Sequence, residues 1–518
     1  MAAVPLFLLT TLLPLLVLTA QQDSSIVNGR EAKPHSRPYM VSVQENKSHI
    51  CGGFLVSDSF VMTAAHCLTW GQNLTVLLGA HDISENQKSN RAEVKFYHIH
   101  PGFDVDTLEN DIMLLQLKTA VKKTKEVQWI PLLKKDKDVK PKTVCSVAGW
   151  GANKTKGYAS PRLLEVNVTV MNRKTCIKDW VPDPITSRMI CGALNIDNKG
   201  ACQGDSGGPL VCKGTAVGIA SFNDGNCNEP KRPNVYTQIS KYLSWVKCII
   251  SSHQQDHSAL SDTMATVPLF LLTTLLPLLV LTAQQDSSIV NGREAKPHSR
   301  PYMVSVQENK SHICGGFLVS KSFVMTAAHC LTWGQNLTVL LGAHDISENE
   351  KSNRAEVKFY HIHPGFEADS LENDIMLLQL KTAVKKTKVV QWIPLPKKDK
   401  DVKPKTVCSV AGWGANKTEG YESPRLLEVD VIVTDRKMCR TKWGKKPITP
   451  RMMCAGGSVG NRGFCQGDSG GPLVCKGTAE GIVSFNEARN CNEPKIPNVY
   501  TQISKYLSWV KCIISSVK

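Results

Sequence analysis

Three short stretches of this sequence carry side chains that could make and break covalent bonds. "VMTAAHC" ends on His66 and Cys67, "ENDIMLLQL" carries Asp111, and "CQGDSGGPLVC" carries Ser206. Each stretch recurs later, in the same order, with His329, Asp374 and Ser469. A serine hydroxyl is a poor nucleophile at neutral pH. It needs a base to take its proton, and the base needs an acid to fix its tautomer and stabilise its cation. His, Asp and Ser are the types required. The glycines add a second component. "GDSGG" permits a tight turn, and the backbone N–H groups of Gly204 and Ser206 could converge on a developing oxyanion. The chemistry implied is acyl transfer through a serine ester.

These residues need a scaffold, and the sequence supplies it twice. Residues 1 to about 252 recur from 264 to 518, at an offset of 263 that becomes 264 where "SFNDGNC" (221–227) faces "SFNEARNC" (484–491). The period is a whole domain, each copy long enough for a sizeable core. Short β-branched runs with turn signals, such as "FLVSDSFVMTAA", "LTVLLGAH" and "TVCSVAGWG", predict mostly β structure. "DIMLL" reads as a buried strand, and "YLSWVKCII" as a C-terminal helix.

The motifs "IVNG", "TAAHC", "DIMLL" and "GDSGGPL", in the order His, Asp, Ser, resemble the trypsin/chymotrypsin family of serine proteases, from Ile26 to about Cys248 and from Ile289 to about Cys512. The opening "IVNGREAKPHSRPYMVSVQ" further resembles the granzyme, mast-cell-protease and duodenase branch. The resemblance implies an all-β fold of two antiparallel barrels per copy, with the site between them and a helix at the end. It makes His66 and His329 general bases, Asp111 and Asp374 their orienting acids, and Ser206 and Ser469 nucleophiles. Gly204 and Gly467, with the serine amides, would form the oxyanion holes. Neither copy lacks a triad member, which argues against a purely binding role.

The same resemblance implies activation by cleavage before Ile26 and Ile289, each new ammonium pairing with Asp205 or Asp468. The residue before each cut is a serine, which departs from tryptic activation. It also implies eight disulfides: Cys51–Cys67, Cys145–Cys212, Cys176–Cys191 and Cys202–Cys227, then Cys314–Cys330, Cys408–Cys475, Cys439–Cys454 and Cys465–Cys491. Cys248 and Cys512 are left over, as small buried hydrophobes or as halves of an interchain bridge.

Trypsin-like preference for Lys or Arg needs an acid six residues before the nucleophile, where this chain has Gly200 and Gly463. Ser221 and Ser484 match the serine of the substrate-aligning strand. Asn223, Asn234, Asn486 and Asn498 stand at pocket-wall positions and should shorten or polarise it. The copies diverge beside the floor, Ala201 against Phe464. Both pockets are expected to be non-tryptic, the second narrower or differently tuned.

The 18 cysteines and the sequons at Asn46, Asn73, Asn153, Asn167, Asn309, Asn336 and Asn416 suit an oxidising, translocated compartment. Residues 1–20 read as a secretory signal and 21–25 as a pro-segment; domain one follows at 26–252. A polar stretch, 253–263, reads as a linker. Residues 264–283 repeat the signal, 284–288 repeat the pro-segment, and domain two fills 289–518. Three explanations fit the second signal: two genes joined in one reading frame, a true tandem precursor cut internally, or a retained anchor or helix. The formal charge is +17, with clusters such as "VKKTK" and "KKDKDVKPK" in each copy. Such runs attract polyanions. For a secreted or granule-stored chain the natural one is an anionic glycosaminoglycan rather than nucleic acid, beside protein or peptide substrates. No stable membrane anchor, cofactor or metal is expected; "HIHP" (98–101) lacks a completing ligand set. A rival reading is a cationic polyanion- or microbe-binding protein of the same fold.

Overall fold

The computed structural model describes every residue except 1–25, 27–28, 69–73, 86–89, 153, 194–199, 228, 262–288, 334–335, 348–352, 416, 419, 458–460, 488–489, 492–493 and 518. The two signal-like segments, both pro-segments, and the sequon residues Asn73, Asn153 and Asn416 therefore lie outside the described residues.

The first domain opens with a short strand, β1 (Arg30–Glu31), and then builds a barrel from β2 (Met40–Glu45), β3 (Ser48–Leu55), β4 (Phe60–Thr63), β5 (Leu74–Leu78), β6 (Asn90–Ile99) and β7 (Met113–Leu117). The strand order is β2-β3-β4-β7-β6-β5, and β5 closes on β2, with Val41 opposite Gly53 on one side and Leu78 on the other. The run "MLLQL" of β7 is buried on every residue, as its near-continuous hydrophobicity requires. A second barrel uses β8 (Val144–Gly149), β9 (Leu164–Val170), β10 (Met189–Ala193), β11 (Pro209–Cys212), β12 (Thr215–Phe222) and β13 (Asn234–Gln238). Its order is β9-β10-β13-β12-β11-β8, closed by β8 on β9, with β1 added outside β9. Closure leaves each barrel without a free edge. The second domain repeats this architecture from Arg293–Glu294 to Asn498–Gln502.

Among the described residues there are four α-helices: α1 (Arg173–Trp180), α2 (Leu243–Ser261), α3 (Arg436–Trp443) and α4 (Leu507–Ser515). The Asn172 side chain caps α1 by accepting from Lys174 N, and Asp435 caps α3 by accepting from Lys437 N and Met438 N. Helix α2 runs on through the first nine residues of 253–263, the stretch that reads as a linker. No Pro or Gly lies between Leu243 and Ser261, so a helix nucleated on the packed "LSWV" turn propagates at one hydrogen bond per residue.

The eight disulfides are those the resemblance implied. Cys248 and Cys512 are free thiols, half-buried on α2 and α4. Among the described residues no helix is long and apolar enough to cross a membrane.

Candidate active site

His66 lies on a 3-10 turn (Ala65–Leu68) just after β4, tied to β3 by the Cys51–Cys67 bridge. Asp111 precedes β7 and is fully buried. Its Oδ2 lies 2.8 Å from His66 Nδ1, and its Oδ1 accepts from His66 N at 3.0 Å. A carboxylate only accepts, so Nδ1 carries the proton and Nε2 of the neutral ring is left as the acceptor. Burial alone would pull the imidazole down, but the charge of Asp111 and its hydrogen bond outweigh it and hold His66 above the ordinary value.

Asp111 has further supports from both barrels. Ser221 Oγ donates to Oδ2 at 2.5 Å, and Thr237 Oγ1 donates to the Asp111 carbonyl at 2.9 Å. Beside it Asn110 adopts φ +57°, a region that asparagine tolerates. Its amide donates to Gly102 O at 2.7 Å, and its oxygen accepts from Tyr242 and Arg188. The second domain repeats the geometry: His329 Nδ1 to Asp374 Oδ2 is 2.7 Å, Ser484 Oγ to the same oxygen is 2.5 Å, and Thr501 Oγ1 to Asp374 O is 2.9 Å.

Ser206 comes from the loop before β11, and its carbonyl accepts from Gly52 N of β3 at 2.8 Å. The next residue, Gly207, has φ +81°, and a Cβ there would stand 2.1 Å from Thr63 Oγ1 and 2.4 Å from Gly52 O. Only glycine lets the Ser206 loop dock this closely on the strands that lead to His66. The two barrels therefore bring Ser206, His66 and Asp111 to one seam, and in the second domain Ser469 docks on Gly315 N at 2.7 Å.

The Gly204 peptide is held by a residue the motifs do not reveal. Gly204 has φ +94°, and its carbonyl lies 3.0 Å from His49 Nε2. That oxygen only accepts, so Nε2 carries the proton and Nδ1 accepts from Ser42 Oγ at 2.8 Å. Burial pushes the ring down to about 4, which keeps it neutral. His312 holds Gly467 O at 2.9 Å in the same way. The signal in the sequence was only a lone histidine in "NKSHICGG", two residues before a cysteine.

Asp205, next to the nucleophile, is fully buried. Its two oxygens accept from Gly151 N (2.8 Å) and Cys202 N (2.9 Å), both neutral donors, and burial pushes the carboxyl up to about 7. Gly149 and Gly151 wrap it: a Cβ at Gly149 would lie 2.1 Å from Oδ1, and one at Gly151 2.5 Å from Cγ. The "GWG" spacing is thus a cradle for this carboxylate. Ile26 is completely buried in the second barrel with Val147 and Ala201. Asp468 and Ile289 repeat both features.

Cys51, His66 and Cys67 cluster closely, as do Cys314, His329 and Cys330, but each pair of sulfurs is already bonded. In "HIHP", His98 Nε2 binds Gln116 Oε1 at 2.9 Å, and His100 Nδ1 accepts from Gly102 N at 3.1 Å. These rings are structural.

Comparison with known proteins places this arrangement. The trypsin family model matches residues 26–246 and 289–510. The chain belongs to the trypsin family. It carries two copies of that family's serine-type endopeptidase domain. Mast cell protease 3 of Ovis aries is 43% identical over 241 residues, covering 46% of this chain and 93% of its own length. Duodenase-1 of Bos taurus is 44% identical over 243 residues, covering 46% and 94%. Transmembrane protease serine 9 of Rattus norvegicus is 28% identical over 543 residues; the match covers 95% of this chain and 50% of that protein.

The two trypsin-family domains differ in the cleft beside the serine. In the first, a cavity of about 160 Å³ is lined by Ala201, Ser206, Ser221, Asn223, Asn234 and Tyr236, among others. Asn223 and Asn234 both donate to Ala201 O, at 3.1 and 2.9 Å. Gly200 packs under Asn234, where a Cβ would stand 2.2 Å from Oδ1. In the second, Asn486 Nδ2 donates to Phe464 O at 3.0 Å, and Gly463 packs equally tightly against Asn498. The Phe464 ring is 3% exposed and meets Tyr500 edge-on, with centroids 5.3 Å apart. Tyr500 is the counterpart of Tyr236, so a phenyl stands where the first domain has an alanine and open space.

Proposed function

We propose that each domain hydrolyses peptide bonds through an acyl-enzyme, with His66, Asp111 and Ser206 as one triad and His329, Asp374 and Ser469 as the other. The observation that carries this reading is the His66–Asp111 pair at 2.8 Å, facing a loop that pins Ser206 against the strand leading to the histidine. Nε2 takes the Ser206 proton as Oγ attacks the carbonyl carbon, and the buried Asp111 stabilises the imidazolium that forms. The same proton passes to the leaving amine, and water then hydrolyses the ester by the reverse sequence. The amides of Gly204 and Ser206 are the donors for the oxyanion, with His49 holding the Gly204 peptide in position.

Activation follows from Asp205. A carboxylate that is fully buried and held only by neutral donors becomes favourable when a cation arrives. The ammonium freed by cutting before Ile26 or Ile289 supplies one. An uncut junction at Ile289 leaves domain two latent. The cysteine density and the seven sequons support secretion, with granule storage as its regulated form.

The absence of an acid at Gly200 and Gly463 supports non-tryptic specificity. The first cavity suits an uncharged side chain of leucine or methionine size, and Phe464 restricts the second to something smaller. The exposed lysines of 122–125 and 385–388 support docking of an anionic glycosaminoglycan beside this activity.

Ser206→Ala and Ser469→Ala, made singly and together, test the reading. Each is expected to lower turnover by its own domain about 10⁶-fold and abolish labelling by a fluorophosphonate. Undiminished hydrolysis in the double variant would refute it.

A further inference from the structure

The two domains meet through the same face. Gln116 Nε2 of the first domain donates to Pro364 O of the second at 2.7 Å, and Gln379 Nε2 donates to Pro101 O at 2.7 Å. Phe96 lies 6.4 Å from Phe366, and Phe103 lies 6.4 Å from Phe359. Lys95 pairs with Glu367 at 2.7 Å, and Lys358 exerts its charge on Asp104. In every case residue i of one copy meets residue j of the other, and j meets i. That is the signature of an isologous interface about a two-fold axis. The apolar core agrees: one continuous cluster runs through the first barrel of each domain and the C-terminal helices α2 and α4.

The leftover cysteines sit on that axis. Cys248 on α2 and Cys512 on α4 are counterparts, and their sulfurs are hydrogen-bonded to each other across the packed helices. Both thiols are half-buried, Cys248 against the shared core. Two counterpart cysteines meet at an axis only if the pairing of the copies places them there.

We propose that Cys248 and Cys512 are the two halves of an interdomain disulfide, which keeps the pair one covalent molecule after the chain is cut between its domains. The cut itself rests on the activation reading given above; the bridge does not. The chemistry is thiol–disulfide exchange with an external disulfide, such as oxidised glutathione or a disulfide-carrying oxidoreductase. Either thiol can open the exchange as its thiolate, because the two are counterparts about the axis. With Cys512 first, its Sγ attacks one sulfur of the external disulfide and expels the other as a thiolate. Cys248 Sγ, having lost its proton to that thiolate, then attacks Cys512 Sγ and expels the second. Two protein thiols lose two electrons and two protons, and one external disulfide becomes two thiols.

The test is a disulfide map of the secreted full chain, denatured in excess N-ethylmaleimide without reductant. The expected species is the Cys248 peptide joined to the Cys512 peptide, lighter by two hydrogens than the separate pair. Alkylation of both cysteines, or a bridge from either to another molecule, overturns the proposal. A second readout uses chain cut between the domains. It should run as one uncut-sized species without reductant and as two halves with it, and Cys512→Ser should run as two halves in both. Two halves from the unaltered chain without reductant overturn the bridge. If the serine variant is not secreted, the map of the unaltered chain decides alone. Neither readout measures peptidase activity. An inactive but bridged chain would sink the triad reading only, and an active chain with two alkylated thiols would sink the bridge only.

Discussion

The His–Asp–Ser frames of the two domains agree to within 0.1 Å, while the walls beside them do not. His–Asp contacts are 2.8 and 2.7 Å, and the serine hydroxyls on the aspartates are both at 2.5 Å. Next to these frames the first domain has Ala201 and an open cavity, and the second has Phe464 set edge-on against Tyr500. Behind the cavity residue Phe222, which meets Trp180 edge-on, Asp183 pairs with Arg232 at 2.7 Å and the arginine lies over Trp180. The counterpart positions in the second domain are Lys446 and Ile496, with the lysine 3.9 Å from the face of Phe485. The acid has become a base and its partner has become apolar. The difference teaches that reaction and selection are separable here. The frame is fixed by contacts between barrels, and the side chains of Ala201 and Phe464 can differ because they carry none of those contacts.

Phe464→Ala gives the largest expected effect on this contrast. It should open the second cleft and raise kcat/KM for large apolar residues on the acyl side of the cut by about 10- to 100-fold, on the scale of one or two methylenes of pocket space. Ala201→Phe should lower the first domain by the same factor. Peptide libraries read on chains carrying one live serine measure both, and unchanged profiles would break the comparison at this wall.

The next contrast is between cut and uncut junctions. Asp468 has a folded value of about 7 against an ordinary 3.8, a raised carboxyl. Its protonated form is favoured in the folded state, so stability is greatest below about 3.8 and falls as pH rises towards 7. In chain uncut before Ile289, the second domain should lose roughly 10 °C of melting temperature between pH 4 and 7 from this cause. Cutting there supplies the ammonium, which should remove the loss from the second domain and leave the first unchanged. Calorimetry of cut and uncut chain, scanned side by side, would show it; parallel curves for the two would contradict the pairing of Ile289 with Asp468.

The smallest effect concerns Lys446. Burial pulls its ammonium below the ordinary lysine value, against the opposing pull of Asp374. Lys446→Asp should reduce the second domain's rate on peptides with acidic side chains along the Phe485 wall by about 3- to 5-fold, in line with a half-exposed charge. The effect should shrink in high salt. An equal change for neutral and acidic peptides would remove the electrostatic account.

Much of the site was legible because acyl transfer restricts residue types. His66, Asp111 and Ser206 could be named from their stretches, and the resemblance supplied their roles and the disulfides. What could not be read were contacts that depend on which strands lie side by side. His49 reaches Gly204 across 155 positions, and nothing local marks it. Nothing in the sequence marks Gly149 and Gly151 as the two sides of the space that Asp205 fills. Residues 253–261 read as a linker because their composition is polar, but a helix already anchored at Trp245 and Val246 needs no apolar face to continue for two more turns. Phe464 was expected to crowd the pocket. Its ring extends the barrel core, edge-on to Tyr500, into the space that is open beside Ala201, and that seat is set by the tyrosine's position.

The face shared by the two copies sets a limit on how they drift apart. Gln116 and Gln379, Phe96 and Phe359, Pro101 and Pro364 each touch the other copy's version of the same patch, and these pairs are still identical in the sequence. A change in one copy at such a place is felt at once by its twin, and where this face has diverged, at Asp104 against Glu367, the charge is kept. A cleft residue answers only to whatever visits its own domain. One duplicated gene product thus holds two kinds of address, some yoked across the axis and some free to wander, and Ala201 and Phe464 are the free kind.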